Sequence, residues 1–223
     1  MMQQLLLQLA PPPAPTLDNF VAGRNAAALQ ALRDIAAGTG SERFVYLWGE
    51  TGSGRTHLLR GLVQAARAQS LYLAGAAAGD TAHAGVIAID DVQRLGAVDQ
   101  VELFDLYNRV RAAGAALVTS GDAAPAQLAL RADLRSRLAW GLAFQLHPLS
   151  DEEKAAALRA HARERALELP EDVISYLLLH ARRDMASLIG TLDALDRHSL
   201  EQKRPITLPL VRGALEAMKD KPA

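Results

Sequence analysis

The sequence predicts an α/β domain with a central parallel sheet and a phosphate-binding loop, followed by a small all-helical lid domain. Three observations carry this reading. The glycine-rich stretch GETGSGRTH at 49–57 follows the apolar run RFVYLWG and opens a helical pattern. Strand-like runs then alternate with helical ones, the order that a parallel sheet with helical crossovers produces. From Ser150 onward the pattern is helical apart from turns near Pro170 and Pro205.

Taken in order, residues 1–10, MMQQLLLQLA, form an apolar tip, and the proline-rich stretch 11–15 tethers it in extended geometry at roughly 3 Å per residue. TLDNFVAG leads into a helix from about Asn25 to Ala37, closed by Gly38-Thr39-Gly40. The run at 43–49 is rich in branched and aromatic residues and reads as a buried strand. A helix from Thr56 to about Gln69 follows, then strands at 71–75 (LYLAG) and 86–92 (VIAIDDV), the latter carrying two acids. Helical spacing returns over 98–113, a strand over 115–122 (AALVTSGD), a short helix over 131–140 (RADLRSRLAW) and a strand over 142–146. The α/β domain is thus placed at 16–149 and the lid at 150–223, where Ser150 and Glu153 stand at capping-box spacing.

Composition sets limits on function. The chain has 223 residues, half of them apolar, enough to bury a substantial core. A formal net charge of -1 gives no whole-chain attraction to DNA or anionic membranes, so any nucleic-acid contact must be local. The absence of cysteine removes disulfides, thiolate catalysis and cysteine-ligated metals. The amino terminus lacks a positively charged leader and no stretch approaches the length of a membrane span, so a cytoplasmic location with no membrane partner is expected.

The loop carries the chemistry. Phosphate-binding loops read G-x-x-x-x-G-K-[ST], and here the positions are Gly49, Gly54, Arg55 and Thr56, with arginine in the lysine position. Gly49, Gly52 and Gly54 let backbone N–H groups turn inward, Ser53 lies between them as a further nucleotide-binding position, Arg55 supplies the cation, and Thr56 offers a hydroxyl to Mg²⁺ at the helix start. Asp90, at a strand end, is the second Mg²⁺ candidate. Asp91 stands where a hydrolytic enzyme of this kind places glutamate to polarise water. Its carboxylate is one methylene shorter, and a base must reach its proton within about 3 Å. Arginine also forks its donors differently from lysine. Nucleotide binding therefore survives these departures better than hydrolysis. The plainer alternative is a glycine turn before an ordinary helix, with the acids capping a turn.

Several stretches in order, TLDNFVAG, YLWGETGSGRTHLL, VIAIDDVQRL, FDLYNRV, SRLAWGL, PLSDEEK and LDALDR, resemble the DnaA-related AAA+ proteins, most closely their branch that inactivates the replication initiator DnaA. The similarity covers nearly the whole chain, and the loop arginine fits that branch. It implies an AAA+ fold and a set of roles. Leu17 to Gly23 would pack near the adenine. Asp122 would sense the γ-phosphate position, with Ser120 a competing candidate. Arg137 would be the finger that one subunit points at a neighbour's nucleotide, against the plainer reading of Arg131, Arg135 and Arg137 as a solvated helix face. The second-sensor arginine of the lid falls on Ala186, with Arg182 or Arg183 a turn earlier as substitutes, which leaves the choice between ADP and ATP open.

The tip resembles the Q-L-x-L-x-L peptide with which such proteins enter the hydrophobic cleft of the sliding clamp, the beta subunit of DNA polymerase III. Gln4 would anchor the polar end and Leu5, Leu7 and Leu9 the apolar one, the alternative being that these leucines pack on the chain's own core. The resemblance thus implies a negative regulator of replication initiation. Docked on the DNA-loaded clamp, it would stimulate hydrolysis of ATP on DnaA through Arg137, while its own loop holds ADP or ATP with Mg²⁺. DnaA, the clamp, DNA through the clamp, and further copies of the chain are the implied partners. Two other readings stay open: an autonomous AAA+ ATPase such as a helicase loader, in which Asp91 sets the rate, and a DnaA-like DNA-binding module. The second is opposed by the lack of a helix-turn-helix segment after the lid and of a concentrated basic stripe.

Overall fold

The computed structural model describes residues 14–66, 68–76, 84–181, 184–202 and 205–219. The described chain forms two compact units, one over Pro15–Pro148 and one from Leu149 onward.

In the first unit, β1 (Phe44–Trp48), β2 (Ser70–Ala74), β3 (Val86–Asp90), β4 (Ala116–Gly121) and β5 (Leu142–Gln145) make one sheet in the order β2-β3-β4-β1-β5. Every neighbouring pair is parallel. The helices are α1 (Ala26–Ala37), α2 (Arg55–Ala65), α3 (Ala97–Ala113) and α4 (Ala132–Leu138). All residues of β3 and β4 are buried, as expected of central strands covered on both faces.

Successive side chains of a strand point to opposite faces, and the core divides accordingly. Val45, Leu47, Val86, Ala88, Ala116 and Val118 pack with Leu29, Leu32, Leu58, Leu59 and Leu62 of α1 and α2. Tyr46, Ile87, Ile89 and Leu117 pack with Leu103, Leu106, Tyr107, Leu134 and Leu138 of α3 and α4.

Most element boundaries fall within a residue or two of the sequence expectation, and two of the differences have a visible local cause. The second helix stops at Ala65 rather than near Gln69: Ala66 turns extended, and the Ser70 hydroxyl donates to Val63 O at 2.8 Å as the chain swings into β2. The third strand stops at Asp90 rather than Val92, because Asp91 enters the left-handed region (φ 56°) and Val92–Arg94 form a 3-10 turn. β2 then runs beside β3 over its whole length, from Ser70 opposite Val86 to Ala74 opposite Asp90.

The second unit holds α5 (Asp151–Glu164), α6 (Glu171–His180), α7 (Met185–Gln202) and α8 (Leu208–Lys219), packed around Leu158, Val173, Leu177, Leu188, Leu192, Leu195 and Val211. Its first helix opens on the anticipated capping box: Glu153 N donates to Ser150 Oγ at 3.2 Å and Ser150 N to Glu153 Oε2 at 2.8 Å. Arg159 grips Glu171 through two bonds of 2.7 Å, and His161 and Arg165 reach Asp193 at 2.7 and 3.3 Å, tying α5 to α6 and α7. Among the described residues no helix is long and apolar enough to cross a membrane.

Candidate functional site

The loop between β1 and α2 lies at the carboxyl end of the sheet, beside the ends of β3 and β4. Ligands of open α/β sheets bind at this edge. Gly52 and Gly54 both have left-handed backbones, at φ 86° and 96°. A Cβ on Gly54 would also stand 2.6 Å from Phe20 Cε2, whereas the space around Gly52 is open. The first amides of a helix have no partners within it, so the loop delivers unpaired N–H groups at the start of α2.

Among the described residues, Ser53 Oγ in the loop and Arg55 Nη1 at the start of α2 are buried without a hydrogen-bond partner. The Arg55 side chain is only 11% exposed, and Nη1 lies 3.7 Å from Asp91 Oδ1, an ion pair beyond hydrogen-bond length. Buried donors are ordinarily satisfied, so these orphans fit a phosphate.

Asp90 is the centre of the site. It is buried and accepts from Thr56 Oγ1 at 2.6 Å, Tyr72 OH at 2.9 Å, Asp91 N at 3.1 Å and Ser120 Oγ. One carboxylate thereby joins the loop helix, β2, β3 and β4. A threonine hydroxyl touching a carboxylate is a two-oxygen donor set, too few for a protein cage but suited to Mg²⁺ shared with phosphates. The described residues contain no cluster of three or more His, Cys, Asp or Glu side chains suited to a metal ion. Asp91 is committed elsewhere: Oδ1 accepts from Gln93 Nε2 at 3.0 Å, and Arg94 lies 3.9 Å away on its other side.

Of the two sensor candidates, the structure brings Ser120 into the Asp90 cluster and leaves Asp122 exposed on the turn after β4. Tyr46 OH holds that turn through Ala123 O at 2.7 Å. Burial, and secondly the Asp122 charge, push the Tyr46 phenol pKa up, so it stays a donor.

The segment before α1 reaches the same loop. Thr16 and Asn19 exchange bonds of 2.9 and 3.0 Å, and His57 Nε2 lies 3.0 Å from Thr16 O and 2.9 Å from Asn19 Oδ1. Both partners are acceptors, so Nε2 carries the proton. The Phe20 ring sits 5.4 Å from the His57 ring. Burial lowers the His57 pKa, with the bond to Thr16 acting in the opposite direction. Leu17 is buried in the core, and of the Leu17 to Gly23 stretch it is Phe20 that meets the loop.

Arg137 belongs to a different cluster, at the end of α4. Arg131 donates to Asp133 at 2.7 and 3.2 Å, and Arg135 donates to Ala126 O at 3.2 Å. The Arg137 guanidinium instead lies 3.8 Å from the centre of the Trp140 ring and 4.9 Å from that of Phe104. It has no carboxylate partner among the described residues. Gln4, Leu5, Leu7, Leu9, Arg182 and Arg183 lie outside the described residues. Ala186 stands half-buried in the first turn of α7.

Sequence reasoning missed Tyr72, His57 and Trp140 as members of these clusters. It also missed buried Asn25, whose side chain clamps His147 with bonds of 2.9 and 2.8 Å. Only His57 carried a signal, its place one residue after Thr56.

Two family models match the chain, that of the Hda lid domain over residues 151–215 and that of the bacterial DnaA ATPase domain over residues 80–145. An uncharacterized protein of Haemophilus influenzae is 34% identical over 215 residues, covering 90% of this chain and 93% of its own. Among solved structures, domain III of the Thermotoga maritima replication initiation protein DnaA aligns with a TM-score of 0.72 at 23% identity, over 94% of this chain and 98% of that one. AMPPCP-bound DnaA from Aquifex aeolicus aligns at 0.67 and 21% identity, over 88% and 71% of the two chains. A RuvB variant of Thermotoga maritima aligns at 0.63 and 18% identity, over 92% and 71%. At these identities the structural likenesses establish the fold.

Proposed function

This chain belongs to the Hda/DnaA-like AAA+ family, and we propose that it is a cytoplasmic negative regulator of replication initiation that presents Arg137 to ATP bound on a second AAA+ protein, DnaA. The observation that carries this reading is the state of Arg137. Arg131, just before α4, donates to Asp133 and Arg135 donates to Ala126 O, while the Arg137 guanidinium lies over the Trp140 ring and pairs with no carboxylate among the described residues. Its charge is left for an external anion.

The reaction on the partner is hydrolysis. Water oxygen bonds to the γ-phosphorus, the bond to the β,γ-bridging oxygen breaks, and ADP, inorganic phosphate and a proton leave. A guanidinium delivered to the γ-phosphoryl oxygens stabilises the charge that develops there, worth roughly 10³ to 10⁵ in rate in GTPase systems.

The chain's own site holds ADP or ATP in this reading, with Gly49, Gly52, Ser53, Gly54 and Arg55 around the phosphates, Thr56 and Asp90 toward Mg²⁺, and Asp91, Asp122 and Ser120 beside them. The orphaned Ser53 Oγ and Arg55 Nη1 support it, as does the AMPPCP bound by a protein of the same fold. Bound nucleotide would supply a polyanion that neutralises the loop. The Arg55–Asp91 pairing weighs against an autonomous ATPase, because it occupies the acid that would polarise water. The tip residues Gln4, Leu5, Leu7 and Leu9 would dock on the clamp, reaching DNA only through it, and copies of the chain could associate through the same face as DnaA.

The test is phosphate release from ATP-bound DnaA with clamp loaded on DNA. Wild type should accelerate it, Arg137→Ala should abolish the effect while still binding clamp, and Leu7→Ala with Leu9→Ala should remove clamp dependence. Hydrolysis without DnaA that survives Arg137→Ala would overturn the proposal.

A further inference from the structure

Trp140 supports a more specific statement, which rests on the finger reading of Arg137. We infer that Trp140 is a positioning residue: its indole face fixes the Arg137 guanidinium in the orientation that meets the partner's phosphate.

A guanidinium can be held by a carboxylate or by an aromatic face, and the two have opposite consequences. A carboxylate takes the in-plane N–H donors and cancels the charge. An aromatic face attracts the cation from above or below and leaves the in-plane fork, the part that matches phosphate oxygens, unspent. At 3.8 Å from the ring centre Arg137 is in stacking contact with tryptophan, the best of the aromatic partners. Phe104 of α3 adds a second wall at 4.9 Å.

The platform is itself restrained. Trp140 N donates to Arg137 O at 3.0 Å, so the two residues are tied by backbone within one turn. Phe44 of β1 meets the indole edge-on at 6.5 Å between ring centres, and Arg111 of α3 lies over the ring at 5.3 Å. The indole is thus pinned from β1 and α3 while Arg137 lies on it. An unsupported arginine at a helix end samples many rotamers, and misplacing a catalytic group by about 1 Å can cost about 10²-fold in rate.

The experiment measures stimulated phosphate release from ATP-bound DnaA, with clamp on DNA, as a function of this protein's concentration. It compares wild type, Arg137→Ala, Trp140→Leu and Trp140→Phe, with thermal unfolding run beside each. Because Trp140→Leu could fail to fold, a second arm replaces tryptophan with 5,7-difluorotryptophan in a Trp48→Phe background, which weakens the π face while keeping the ring's shape.

The inference expects the rate at saturating protein to fall about tenfold in Trp140→Leu, with the half-saturating concentration and the unfolding temperature unchanged. Trp140→Phe should recover most of the rate, and the fluorinated protein should lose a few-fold against its unfluorinated parent. A purely structural role would move the unfolding temperature and would not respond to fluorine. If Arg137→Ala abolishes stimulation but Trp140→Leu and the fluorinated protein keep the full plateau, the positioning role is overturned and the finger stands. A rise in half-saturating concentration alone would make the stack a docking contact and overturn it too. If Arg137→Ala stimulates normally, the finger reading fails and this inference fails with it.

Discussion

Arg55 Nη1 stands 3.7 Å from Asp91 Oδ1, so the two positions at which this chain departs from the ordinary phosphate-loop pattern face each other across the site. The departures are therefore one feature. Asp91 is also held by Gln93 and Arg94 and sits in a left-handed backbone. An acid so engaged serves as a counter-ion, and the cation opposite it, with one buried unbonded nitrogen, is suited to hold phosphate.

From this pairing, Arg55→Ala should weaken binding of a fluorescent ADP analogue by about tenfold or more, the value of a charge-assisted bond or two. Asp91→Ala should leave phosphate release by the protein alone within about twofold of wild type. A large fall in that rate would show Asp91 acting as a base.

Asp90→Ala should cost about 2 to 4 kcal/mol in urea unfolding, because Thr56, Tyr72 and Ser120 would all lose their buried acceptor. The same variant should lose the Mg²⁺ dependence of nucleotide binding.

Burial lowers the His57 pKa below its unfolded value. The unfolded state then takes up its proton first as pH falls. The stability that neutral His57 contributes is complete above the unfolded pKa of about 6.5 and is lost as pH drops through the range between the two values. His57→Gln, compared with wild type in urea unfolding from about pH 8 to 5, should show a shallower loss below about pH 6.5. Parallel profiles would remove His57 as the source.

Gly61 lies within α2, where alanine is ordinarily favoured by about 0.8 to 1 kcal/mol. A Cβ there would meet Thr16 C and Leu17 N at 2.8 Å, backbone that cannot give way without lifting the 16–20 segment. Gly61→Ala should therefore destabilise, by about 1 to 2 kcal/mol net, and weaken nucleotide binding by disturbing Phe20. A stabilised variant would show that the segment is not held against α2.

The parallel order, the loop, the strand ending in acids and the change to helices at Ser150 were legible because each rests on local signals: apolar period, glycine and capping spacing. Element ends were less so. The stop of α2 at Ala65 and the turn at Asp91 accompany strands that align with neighbours far along the chain. The site was legible where its residues are consecutive, from Gly49 to Thr56. Tyr72 and Ser120 were harder, since a hydroxyl on a strand looks alike whether it faces a buried carboxylate or a core.

What the sequence by itself determined is which chemical groups are present and in what local geometry: a glycine loop before a helix, an acid at a strand end, arginines on a short helix. What only the tertiary structure decided is which of them meet. Hydroxyls on β2, β4 and α2 converge on Asp90, Arg55 turns to Asp91, and of the three arginines at 131, 135 and 137 one pairs with Asp133, one donates to Ala126 O and one lies over an indole. The reason is that local signals act over a turn or a strand, while the partner of a buried charge is set by packing between elements tens of residues apart.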